Sequence, residues 1–150
     1  MRLSVASAAL LLIVALPPTR SFAASGSDVL DSAALADLEA RAEHAQAKEQ
    51  CFLYTQLVHD YVEVAGKQIA AGDMDQATAS LKRVQDLADR IHLERDTKKL
   101  KNAETLMHMA TYHLSQFMHM VSTEDMELLQ ATLKRLDKLH DQLLEQVFAH

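Results

Sequence analysis

No proline follows Pro18 in this 150-residue chain, and its only glycines are Gly26, Gly66 and Gly72. A sequence with so few backbone breakers cannot supply the many tight turns of a β-sandwich or barrel. It must run in long, uninterrupted elements. No stretch beyond residue 23 alternates apolar and polar residues over six positions, whereas apolar residues recur at spacings of three and four throughout. The expected class is therefore all-α. At 49% apolar residues the chain has material for a core, and its length is that of one ordinary domain.

The first 23 residues are a separate matter. Met1-Arg2 is a short positive start, Val5 to Leu16 is an apolar run, and Pro17-Pro18 ends any helix. Ser21 and Ala23 place small residues at the −3 and −1 positions of a cleavage site. The pattern predicts a secretory signal peptide cut after Ala23, with export to a bacterial periplasm or the medium; an uncleaved anchor is the rival reading. No later stretch approaches the roughly 18 consecutive apolar residues of a membrane span. Cleavage removes Arg2 and Arg20 and no acid, taking the net charge from −6 to −8. Such a chain repels phosphate backbones, and its aromatic content of 5% offers little for base stacking. Nucleic acid is not an expected partner.

Residues 24–28 make a short flexible leader, and 29–150 a single helical domain. One long helix is expected from about Val29 to Ala71. Its acidic first part, 29–50, carries only a thin stripe of Leu35, Leu38, Ala42 and Ala45. Its second part is apolar over more than half its circumference and needs neighbours on several sides. His59, Glu63 and Lys67 form its polar strip. Gly72 is a helix stop and Asp73 an N-cap, with Gln76 three residues on. The run Gly72–Ala77 resembles the turn inside a tetratricopeptide repeat. No second copy follows at a 34-residue spacing, so nothing is carried over from that family.

Ala77, Leu81, Val84, Ala88 and Ile91 form a clean stripe on the next helix. The stripe from Leu100 to Val121 is offset from it by one residue, which places a break near 93–97. Ser122-Thr123-Glu124-Asp125 starts the last helix, striped by Leu129, Leu133, Leu136, His140, Leu143 and Val147. Segments 51–71, 74–92, 97–121 and 123–148 thus predict an antiparallel up-down four-helix bundle with an extended first helix. If 93–97 stay helical, the alternative is an elongated three-helix structure.

Met107-His108-Met109 is repeated eleven residues on as Met118-His119-Met120, with His113 between. Eleven residues are about three helical turns, so the repeats stack on a straight helix. Thioether and imidazole suit Cu(I), making His108, Met109, His113, His119 and Met120 candidate copper ligands. Against that, Met107 and Met118 belong to the core stripe, and His108 and His119 lie about 16 Å apart along the axis. His140 takes a position where the stripe wants leucine, and so needs a polar partner. Cys51 opens the most apolar stretch and reads as a buried thiol, the rival being a disulfide to another chain. Glu-x-x-His pairs and Cys-x-x-Cys-His are absent, which argues against di-iron and covalent haem chemistry. No constellation points to an enzyme or a bound cofactor. The function expected is an exported binding module that associates with a protein partner or with itself through a helix face; copper binding at 107–120 is the alternative.

Overall fold

The computed structural model describes residues 32–149. The signal peptide, its cleavage point, the leader and the start expected at Val29 lie outside the described residues. Everything described is helix or connection: α1 Ser32–His44, α2 Ala47–Ala70, α3 Met74–Ala88, α4 Leu100–Phe117 and α5 Thr123–Phe148, with a single 3-10 turn at Met118–Met120. No described helix is long and apolar enough to cross a membrane.

The extended first helix is not what forms. The chain turns at Ala45-Gln46, where there is neither glycine nor proline, and α1 packs against α2. The physical reason is the thin stripe. Leu35, Leu38 and Ala42 are buried, and a straight extension beyond the body would leave them in water. Gln50 Nε2 donates to the Ala42 carbonyl at 3.1 Å, and His44 Nδ1 donates to the Ala40 carbonyl at 2.8 Å. The first of these satisfies a carbonyl freed by the break. Ion pairs Arg83–Glu39 and Arg90–Glu43 tie α1 to α3 and the segment that follows it.

The α2–α3 turn follows the expectation residue by residue. Gly72 adopts φ +77°. Its N–H bonds the Ile69 carbonyl at 3.0 Å while the Asp73 N–H bonds Gln68 at 2.9 Å, the double closure that a left-handed residue permits. Asp73 then accepts the Gln76 N–H at 3.2 Å and caps α3.

The break after α3 is also present, and wider than expected. Helix stops at Ala88 and resumes at Leu100, so the elongated three-helix alternative is overturned. Lys98 and Lys99 stay out of the first turn of α4, and Lys99 takes a left-handed φ of 56°. Thr97 Oγ1 donates to the Glu94 carbonyl and accepts the Glu94 N–H, while the Lys98 N–H bonds the Lys48 carbonyl at 2.8 Å. That last bond sets the start of α4 beside the start of α2. From there α2 and α4 run the same way. Their cross-links, Glu49–Lys98 and Glu63–His113, keep offsets of 49 and 50 residues. In the same manner α3 and α5 are joined by Gln85–Thr132 and Asp89–Arg135, 47 and 46 residues apart. The core between them holds Leu57, Val58, Val62, Leu81, Val84, Met107, Leu114, Leu129, Leu136 and Leu143.

Candidate metal centre

Helix α2 buries residues around most of its girth, so its polar strip meets a neighbour instead of open water. The neighbour is α4. The strip's His59 and Glu63 are one turn apart on one face, and α4 brings His113 opposite them. One ligand atom from each of the three lies within 4.8 Å of the others. The His113 Nδ1–H donates to Glu63 Oε1 across the interface. The two imidazole rings stand 6.3 Å apart between centroids. Glu63 and His113 are each about one-third exposed, at 31% and 33%, so an ion can reach them.

His59 is the informative member. Its Nδ1 lies 3.1 Å from Asp60 Oδ1. A carboxylate only accepts, so Nδ1 carries a proton, and in the neutral imidazole Nε2 is then the lone-pair acceptor. That Nε2 is buried and, among the described residues, is the one such side-chain atom without a hydrogen-bond partner. Buried polar nitrogens are rarely left so. Imidazoles that bind metals are typically oriented by a carboxylate on the other nitrogen, and His59 with Asp60 has that arrangement.

The residues singled out from the sequence are distributed differently. His113 belongs to the cluster. His108 is exposed on the far flank of α4, its ring 5.3 Å from that of His140. Met109 and Met120 are exposed, at 39% and 55%. The α-helix ends at Phe117, and His119 and Met120 lie in the 3-10 turn. The two Met-His-Met runs therefore do not stack as they would on one straight helix. Met107 is fully buried and Met118 packs against the core, as the stripe implies. His140 does find a partner, through Nε2 to Glu104 Oε1 at 3.0 Å, on α4. Cys51 is completely buried, and burial pushes its thiol up to about 11, partly offset by a hydrogen bond from Thr55. A thiol in that state is neither a nucleophile nor placed to bridge chains.

Sequence reasoning missed His59 and Glu63 because a polar strip on a helix is normally its solvated face. The available signal was the contradiction itself: a helix needing neighbours on several sides has little room for a solvated strip. No protein-family model, no characterised protein and no solved structure matches this chain.

Proposed function

We propose that the protein binds one divalent d-block ion, of the zinc, nickel or copper(II) class, between α2 and α4 through His59, Glu63 and His113. The observation that carries this is the convergence of the three donors around a His59 whose Nε2 has no other partner. Ligands on one such ion, at bonds near 2.0–2.1 Å, sit about 3.3 Å apart, so closing the cluster takes shifts of roughly 1.5 Å or less. Side-chain rotation supplies that. The ion replaces the proton held between His113 and Glu63, and a fourth position stays open to water. Two imidazoles and a carboxylate favour divalent ions over Cu(I), which prefers sulfur. On this reading α2–α5 form an antiparallel four-helix bundle, exported by its leader, that binds without catalytic turnover.

The test is competition of Zn2+ and Cu2+ against a chromophoric chelator. One ion per chain is expected. His59→Ala, His113→Ala and Glu63→Gln should each weaken it at least tenfold, and Asp60→Asn by about 10–100-fold through loss of orientation at His59. His108→Ala, His119→Ala and Met120→Ala should leave it unchanged. A protein that does not compete, or that keeps its affinity after loss of both His59 and His113, would falsify the reading. Tight Cu(I) binding lost only with Met109 and Met120 would move the site to the methionine strip.

A second reading, association through a helix face, has its own observation. Tyr112 is 57% exposed, with its ring 5.8 Å from that of His113, and Met109 on α4 and Met120 in the 3-10 turn are exposed apolar side chains as well. Sedimentation should show a concentration-dependent dimer that Tyr112→Ser weakens. A monomer at every concentration would end that reading.

A further inference from the structure

The geometry points to a second ligand site, for a small oxyanion of the phosphate or sulfate type, where the end of α1, the start of α2 and the start of α4 meet. A cavity of about 180 Å³ there is lined by Arg41, Glu49, Phe52, Leu53, Lys98 and Lys99. Three cations against one acid is a local excess of positive charge in a chain whose net charge is −6. Only one of the three is neutralised: Lys98 Nζ pairs with Glu49 Oε1 at 3.1 Å. Lys99 Nζ stands 4.6 Å from the centre of the Phe52 ring, which attracts a cation without cancelling its charge. Arg41 makes no ion pair with any described residue. Phe52 and Leu53 floor the cavity with apolar surface, lowering the local dielectric and strengthening attraction for an anion.

The sequence bears a cost for this placement. Lys98, Lys99 and Lys101 surround the start of α4, whose first turn contains no acid. Cations there oppose the helix dipole, and a bound anion removes the conflict. The volume sets the ligand class. Pockets that enclose drug-sized molecules run to about 300–1,000 Å³, so this one admits a single tetrahedral anion or the phosphate end of a larger molecule. Arg41 supplies the forked donor suited to such an oxygen set, with the lysines as point charges.

The site is independent of the metal cluster, and its test uses the metal-free protein. Inorganic phosphate is titrated at constant ionic strength while backbone amide resonances are followed, with phenyl phosphate and acetate as parallel arms. The expected result is saturable binding of phosphate, with the largest shifts at Lys98–Asn102, and weakening of at least fivefold by Arg41→Gln and by Lys99→Gln. Lys134→Gln, an exposed cation on α5, should leave it unchanged. Tighter binding of phenyl phosphate would identify the phosphate end of a larger molecule as the natural occupant; equal binding would identify the free ion. Shifts that fail to saturate, that acetate reproduces in full, or that Lys134→Gln weakens equally would overturn the proposal.

Discussion

Gly66 shows how closely α2 and α4 approach. A Cβ built there would collide with the tip of the Phe117 ring, so the ring's Cζ edge packs directly on the α2 backbone. Gly66→Ala should cost about 1–3 kcal/mol of overpacking in chemical denaturation. The double variant with Phe117→Leu should lose less than the sum of the two single changes. This glycine is helical, so its role is space and not conformational freedom. Cys51 tests burial by another route. Its thiol titrates near 9.0 when the chain is unfolded and near 11 when folded. A raised folded value means that its contribution is intact below pH 9. Between pH 9 and 11 the unfolded chain ionises and the folded one does not, so stability falls as pH rises. That difference corresponds to roughly 2–3 kcal/mol. Unfolding curves across that window should therefore decline more steeply for the native protein than for Cys51→Ala. Equal slopes would mean that the thiol is not desolvated.

At the scale of elements, helix ends separate what local chemistry dictates from what packing dictates. The start of α5 is local. Ser122 Oγ accepts the Asp125 N–H at 3.4 Å and donates to Asp125 Oδ2 at 2.7 Å, with Glu124 and Asp125 in the first turn. Ser122→Ala should cost about 1 kcal/mol, measured as a shift in denaturation midpoint with unchanged slope. The start of α2 is different: Gln46 makes no capping bond with its side chain. No residue near 45–46 announces a helix boundary, and the break exists because α1 can bury leucines only by folding back. The same distinction holds for the Met-His-Met repeat. Its eleven-residue spacing describes a straight helix, and the 3-10 turn after Phe117 removes the second copy from that helix.

For the whole molecule, the proposed ion site has a mechanical consequence. A bound ion would join α2 to α4, and so the α2–α3 hairpin to the α4–α5 hairpin. An ion bound only by the folded state should stabilise it by about 2.7 kcal/mol at one hundred times its dissociation constant. The rise in melting temperature with added Zn2+ should disappear in the His59→Ala/His113→Ala variant. A rise that persists there would place the ion elsewhere. The features legible in the chain alone are local or periodic: the all-α class from the scarcity of glycine and proline, the α2–α3 turn from Gly72 and Asp73, the start of α5 from Ser122, and the core stripes from spacing. These rest on interactions within a few residues of one another, which a sequence displays directly. The candidate site was not of that kind. His59 and Glu63 are visible as a pair on one helix face, but His113 reaches them across 50 residues of chain. That meeting is a product of helix packing: the Lys98–Lys48 backbone bond sets the start of α4 beside the start of α2, and the polar strip becomes a contact instead of a solvated face.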